Sequence, residues 1–147
     1  MTRAGHTLVE CITVVLILSA LAFIAVPRLS WGAVSVAQTD AAVRQLATDL
    51  RRTRMYAIAH AADNPTGYAL VMSDSGYQIV DLHDSAIVAS DDMPAQVRCT
   101  GRRSFEFGPL GNLTEGSDSW VRVHSTSRAY RLEIVPATGA VKWQREK

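Results

Sequence analysis

An uninterrupted apolar run near the N-terminus constrains this chain more than any other feature of its sequence. Residues 11–26, CITVVLILSALAFIAV, contain no charged side chain. A helix needs about 20 mainly apolar residues, at about 1.5 Å each, to cross a bilayer. Residues 8–26 meet this length if Glu10 is tolerated. The run therefore predicts a membrane-spanning helix, and Arg3 before it favours a cytoplasmic N-terminus.

Three simpler explanations of the run are a cleaved signal peptide, a lipoprotein signal and a plain anchor. A signal peptide should end in a small-x-small site, whereas VPRLSWG follows here. A lipoprotein signal places the apolar region before its cysteine, whereas here the region follows Cys11. A plain anchor leaves Glu10 unexplained, because a carboxylate near the bilayer interior costs at least about 2.5 kcal/mol and usually has a partner.

The stretch GHTLVE, residues 5–10, resembles the cleavage and methylation motif of type IV pilins and type II secretion pseudopilins. In that family a short basic leader ends in glycine, prepilin peptidase cuts after it, and the new N-terminus is methylated. The resemblance implies a leader over residues 1–5, a scissile junction between Gly5 and His6, and methylation at His6. Glu10 then becomes the fifth mature residue, which is glutamate in the family.

Other positions extend this resemblance, and one departs from it. The family usually has TL followed by Ile or Val before the glutamate, and Thr7, Leu8 and Val9 match. Pro27 stands where many members have a proline that kinks the helix. His6 departs from the usual Phe or Met. Pairing of Glu10 with the amine of a neighbouring subunit would offset the cost of burying both charges, so Glu10 is expected to order assembly.

The pattern after Pro27 predicts that the helix continues and that a β-rich domain follows it. Apolar residues recur at helical spacing, and Asn64-Pro65 predicts a stop, so we expect one helix over about 6–62. Eight short segments then predict strands: TGYALVMS, GYQIVDL, SAIVAS, AQVRCT, RSFEFG, SWVRVHS, RAYRLEIV and GAVKWQ. Two of them, SWVRVHS and RAYRLEIV, alternate as half-buried antiparallel strands do.

The expected fold class is therefore α+β. A long N-terminal helix, with a membrane half, a packed half and a kink near Pro27, precedes a mostly antiparallel, pilin-like sheet domain. The expected divisions are a leader (1–5), a transmembrane or filament-core helix (6–29), its amphipathic continuation (30–64) and a periplasmic domain (65–147).

The second half of the chain resembles a narrower group, the GspH/FimT minor pseudopilins and minor pilins. The group has an F-x-F-x-x-x-G element and a late glycine hairpin. Phe105, Phe107, Gly111 and Gly139 occupy these places.

Candidate catalytic and metal-binding residues are scattered along the sequence. His60, His83 and His124 fall on different predicted elements, and Cys99 has no neighbouring histidine. The segment DLHDS holds carboxylates near His83, but alternation along a strand would separate neighbours. We expect no enzyme activity, no metal and no cofactor.

Nucleic acid is the alternative partner, because some FimT-type minor pilins bind DNA through a basic G-R-x-R motif near the C-terminus. The corresponding segment here is GAVKWQREK, so the candidate contacts are Lys142, Trp143, Arg145 and Lys147. Two further arginine clusters, residues 51–54 and 98–103, have the simpler explanation of a solvated or subunit-facing surface, and the net charge is only +1.

The combined features predict a minor pseudopilin or pilin subunit. Its expected course is processing by prepilin peptidase, residence in the bacterial inner membrane with a periplasmic domain, and assembly near the tip of a type II secretion pseudopilus or type IV pilus. Its expected partners are other pilin-like subunits, prepilin peptidase, the inner-membrane assembly platform and the membrane itself. The alternatives are a DNA-binding minor pilin and a membrane-anchored periplasmic binding module.

Overall fold

The computed structural model describes residues 8–101, 103–117 and 119–146, without the side chains of residues 25–31. The chain divides into two compact units, Met1–Val34 and Ser35–Lys147. Helix α1, Leu8–Ala59, contributes to both units. Within it the described side chains form two helical stretches, one of about 17 residues and one of about 28.

The described helix corrects the predicted membrane segment. No helix among the described residues combines the length and the apolar character needed to cross a membrane.

The predicted fold class, with its long N-terminal membrane helix, is therefore wrong, and so is the predicted single-pass location in the inner membrane. The side chain of Pro27, and with it the predicted kink, lies outside the described residues.

Helix α1 ends at Ala59, close to the predicted stop at Asn64. The Asn64 side chain forms hydrogen bonds with the backbone that follows it. The Asn64 side-chain oxygen accepts hydrogen bonds from the backbone N–H groups of Thr66, at 3.1 Å, and Gly67, at 3.0 Å. Its amide nitrogen donates to the Gly67 carbonyl. An asparagine that holds the following backbone in this way competes with a further helical turn.

Among the described residues, eight strands follow the helix. Each overlaps one of the eight segments named from the sequence, and three of them extend one or two residues beyond their segment. They are β1 Tyr68–Met72, β2 Gly76–Asp81, β3 Ile87–Asp92, β4 Arg98–Gly101, β5 Ser104–Phe107, β6 Trp120–His124, β7 Ala129–Val135 and β8 Ala140–Arg145. They form two antiparallel sheets, in the orders β3-β2-β1-β5 and β4-β6-β7-β8. The predicted antiparallel domain thus contains two sheets, and β5 belongs to the first because it pairs with β1.

The core of the second unit lies between these sheets and one side of α1. Leu46 and Leu50 of the helix are fully buried, as are Phe105, Phe107 and Leu132 of the strands. Strand β7 alternates in burial, with Tyr130, Leu132 and Ile134 facing inward. At about 25 cal/mol per Å² of apolar surface removed from water, this burial is the main favourable term in folding of the unit.

A polar tie joins the start of the second helical stretch to β7. The Tyr130 hydroxyl donates a hydrogen bond of 2.6 Å to one carboxylate oxygen of Asp40, and Arg128 lies 2.9 Å from the other. The hydrogen bond from Tyr130, reinforced by Arg128, holds the pKa of Asp40 below its ordinary value. Stability from this tie is therefore present above the ordinary carboxyl pKa and is lost as the pH falls through the lowered pKa.

Replacing Tyr130 with phenylalanine should lower the free energy of unfolding by about 1 kcal/mol at neutral pH, because a buried hydroxyl then no longer donates to Asp40. Urea unfolding of the full chain measures the change. The difference from the parent chain should shrink as the pH falls below the ordinary carboxyl pKa of about 4 and then through the lowered pKa of Asp40.

The matched control for this prediction is Asp74→Asn. Asp74 pairs with Arg103 at 2.7 Å, but both side chains are more than half exposed. Loss of such a pair should change the free energy of unfolding less than half as much. An equal effect of the two variants would contradict the assigned role of the Asp40 tie.

Candidate assembly site

The first unit presents apolar side chains on every side of α1. Residues 14–18, five in succession, are each more than half exposed, and Phe23 is 85% exposed. Successive helical residues point about 100° apart, so this succession covers the full circumference. An all-apolar helix surface is typical of helices that lie among other apolar elements. We call residues 8–24 the apolar stretch.

The hydroxyl groups within the apolar stretch are satisfied by the helix itself. Thr13 donates to the Val9 carbonyl at 2.8 Å, and Ser19 donates to the Val15 carbonyl at 2.7 Å. These residues therefore need no polar partner from a neighbouring helix. Glu10 is the charged side chain of the stretch, and it is exposed in the first turn of α1. A carboxylate there interacts favourably with the helix dipole.

The predicted processing residues fall mostly outside the described chain. Gly5 and His6, the expected cleavage junction and methylation site, both lie before Leu8, where the described residues begin. The described part of the candidate assembly site is therefore Glu10 together with the apolar stretch.

Of the four residues that suggested the narrower family, Gly111 and Gly139 lie beside Arg54 near the end of α1. Phe105 and Phe107 are fully buried in β5. Arg54 donates a hydrogen bond of 3.1 Å to the Gly111 carbonyl, and a β-carbon at Gly139 would collide with that same carbonyl oxygen. Gly139 also has a left-handed φ of +64°. These residues thus hold two loops against the helix.

The arginines of the LRRTR segment are engaged within the chain. Arg51 donates to the Val141 carbonyl at 3.4 Å, and Arg54 to Gly111. Arg52 donates to the Tyr56 hydroxyl, and its guanidinium lies 5.3 Å from the centre of that ring. The segment therefore contributes to internal packing as well as to the charged surface.

The predicted DNA contacts do not form one patch. Alternation along β8 places Lys142 on the outer face of its sheet, opposite Glu133, and places Trp143 and Arg145 on the other face. The Trp143 ring meets Tyr130 edge-on at 5.7 Å. Lys147 lies outside the described residues.

A basic and aromatic surface that the sequence analysis missed lies on the outer face of the second sheet. Trp120 is 40% exposed, and the Arg131 guanidinium lies 4.9 Å from its ring centre. Arg122 stands opposite Arg131 on the neighbouring strand and pairs with Glu146 at 2.6 Å. We call Trp120, Arg122, Arg131 and Lys142 the outer basic face. The sequence signal was the alternation in β6 and β7, which places Trp120, Arg122 and Arg131 together on the face opposite the buried residues.

The histidines and Cys99 show no convergence in the described residues. No group of three or more His, Cys, Asp or Glu side chains there could hold a metal ion. His60 packs against the rings of Tyr56 and Tyr68. Burial raises the pKa of the Cys99 thiol to about 11, so this thiol is protonated at neutral pH.

Comparison with protein-family models, with curated proteins and with solved structures found no match for this chain.

Replacing Gly139 with alanine should lower the free energy of unfolding by about 2 kcal/mol or more, because left-handed strain adds to the collision with Gly111. Gly116→Ala is the matched control. Its φ is +86°, yet a β-carbon there would meet no atom within 4 Å, so only the backbone strain remains. Chemical denaturation of both variants measures the difference, and equal losses would contradict the close approach of the two loops.

Proposed function

We propose that this protein is a pilin-like subunit, processed by prepilin peptidase and assembled into a type II secretion pseudopilus or a type IV pilus, at or near its tip. The observation that carries the proposal is the apolar stretch with Glu10 in its first turn, directly after the GHTLV segment. The proposal also draws on the resemblance of residues 5–10 to the family's processing motif.

The apolar stretch supports a role in packing against several neighbours, because contact along one side of the helix would leave its other apolar side chains exposed. Its exposed residues surround the helix, so a single neighbouring helix would cover only part of this surface. A bundle of staggered helices from several subunits would cover all of it. Apolar burial is non-directional and drives association, but it does not by itself define how far one helix slides along another.

Glu10 supplies the register that apolar contact lacks. Cleavage after Gly5 would create an α-amino group on His6, four residues before Glu10. In a staggered bundle, the carboxylate of one subunit meets the amine of the next. An ion pair removed from water is destabilising when one partner is missing, so wrongly registered neighbours are penalised.

The proposal is tested by the intact mass of the chain co-expressed with active or inactive prepilin peptidase. With the active enzyme, the expected product lacks residues 1–5 and carries one added methyl group at His6. With the inactive enzyme, the full mass should remain. Retention of residues 1–5 in both samples would contradict the proposal.

The same cells allow Glu10 to be tested separately from cleavage. Glu10→Ala should be cleaved normally but should enter sheared filaments about tenfold less, which corresponds to the loss of about 1.4 kcal/mol of pairing. Glu10→Asp, which keeps the charge, is the matched control and should retain part of the incorporation. Unchanged incorporation of the alanine variant would remove Glu10 from the proposed role.

The outer basic face favours a second candidate function, contact with single-stranded nucleic acid. Trp120 offers a stacking surface and Arg122, Arg131 and Lys142 offer cations on the same side of the sheet. These charges are partly offset by Glu133 and by the pairing of Arg122 with Glu146.

This second candidate predicts binding of a fluorescent single-stranded oligonucleotide that weakens as salt rises. Arg131→Glu should weaken the binding about tenfold or more, whereas Arg103→Glu, off this face, should have a much smaller effect. An absence of binding at low salt would exclude the outer basic face as such a site.

A further inference from the structure

An acidic groove runs between α1 and the edge strand β3 in the second unit. It has a volume of about 290 Å³, and its lining includes Ala41, Ala42, Asp91, Asp92, Met93 and Pro94. The alanines, the methionine and the proline make its walls apolar, while both aspartates are exposed at its rim. The groove therefore combines apolar walls with a negatively charged mouth.

A third carboxylate, Asp49, is hydrogen-bonded to Tyr77, a residue of the groove lining. Asp49 is 6% exposed and accepts hydrogen bonds from Tyr77, at 2.6 Å, and from Gln45, at 3.0 Å. Tyr77 also lies 3.5 Å from Asp91. Among the ion pairs of the described residues, none involves Asp49, Asp91 or Asp92. The nearby Arg52 is held on Tyr56 instead.

The opposite charge lies on the other sheet, at its edge strand β8. Lys142, Trp143 and Arg145 are all exposed there, and we call them the basic ridge. Trp143 is 41% exposed, and neither cation belongs to an ion pair within the described part of the chain. Lys142 projects from one side of the strand and Arg145 from the other, so the ridge carries a cation on each flank.

The backbone of the ridge can also receive a partner. The Val141 carbonyl accepts a hydrogen bond from Arg51, so this residue points its backbone groups away from β7. Because backbone direction alternates in an antiparallel pair, Trp143 and Arg145 point theirs away as well. An edge strand of this kind is a template for contact with another chain.

We propose that the basic ridge of one copy of this chain docks into the acidic groove of a second copy. The ridge supplies two cations on either side of an exposed indole, and the groove supplies apolar walls beneath exposed carboxylates. Long basic side chains suit such a groove, because their stems pack on apolar surface while their charges reach the rim. Charge complementarity of this kind selects the partner and its orientation.

The contact is head-to-tail, since the two surfaces differ. When two copies dock, the groove of the first copy and the ridge of the second remain unoccupied. Repetition of such a contact generates a ring or an open chain of copies. The contact involves the second unit alone. It therefore goes beyond the proposed function and does not depend on cleavage at Gly5.

The first test is zero-length carbodiimide cross-linking of the full chain in a non-ionic detergent that covers the apolar stretch. A nuclease-treated mixture of ¹⁴N and ¹⁵N chains distinguishes cross-links between copies from those within one copy. The lysines of the chain are Lys142 and Lys147. The expected product is an isotopically mixed peptide pair that joins Lys142 to Asp91 or Asp92, and its absence would overturn the proposal.

The second test is a charge swap. One double variant reverses the groove, Asp91→Lys with Asp92→Lys, and the other reverses the ridge, Lys142→Glu with Arg145→Glu. Each should reduce self-association in sedimentation velocity by about tenfold or more, because like charges then face each other. An equimolar mixture of the two variants should associate again, which also shows that both are folded. Asp63→Lys with Glu115→Lys, the same charge change elsewhere, should leave association unchanged.

Association that survives both swaps, or a mixture that stays monomeric, would overturn the proposal. Either result would leave the mass test of N-terminal processing unaffected, so the two proposals can fail separately.

Discussion

The burial of one side of α1 against two sheets is the interaction on which the second unit depends. Each sheet has an inner face that must leave water, and the helix supplies Val43, Leu46, Leu50 and Ala57 to cover them. These residues recur at spacings of three, four and seven residues, which places them in one stripe along the helix. Polar ties such as Asp40 with Tyr130 then orient the packed elements, but they contribute far less than the apolar burial.

The same helix has a different surface in the first unit, and this contrast underlies the proposed function. From Ser35 onward one side is buried and the other exposed, whereas the apolar stretch is exposed all round. A helix cannot keep the second pattern in water without a strong tendency to associate. The two patterns thus separate a part with a buried core of its own from a part whose apolar side chains are exposed.

Sequence patterns located the elements of the second unit well, because alternation and helical spacing report burial directly. The fully buried Leu46 and Leu50 lie after Pro27, where the sequence predicted a helix from the spacing of its apolar residues. Phe105 and Phe107 lie in the predicted strand RSFEFG. The division into two sheets could not be predicted, since the return of β5 to β1 is a long-range pairing that local patterns do not encode. Tertiary packing also brought Arg54 to Gly111, which no spacing in the sequence indicates.

The functional site was predicted less accurately than the fold of the second unit, and the predicted membrane-spanning segment was wrong. The apolar run predicted a membrane-spanning helix, but no helix among the described residues is long and apolar enough to cross a membrane. Lys142, Trp143 and Arg145 were adjacent in sequence, yet a strand turns neighbours to opposite faces. The outer basic face was missed because its members come from three different strands and are not close together in the sequence.

The most direct test of the account is photo-cross-linking from Phe23, which is 85% exposed in the apolar stretch. Benzoylphenylalanine at this position keeps the aromatic character of the side chain while it captures whatever lies against it. In cells that assemble filaments, the account predicts adducts with the N-terminal helix of another pilin-like subunit. Adducts with no protein at all, under conditions in which the chain is processed, would contradict the packing role of the apolar stretch.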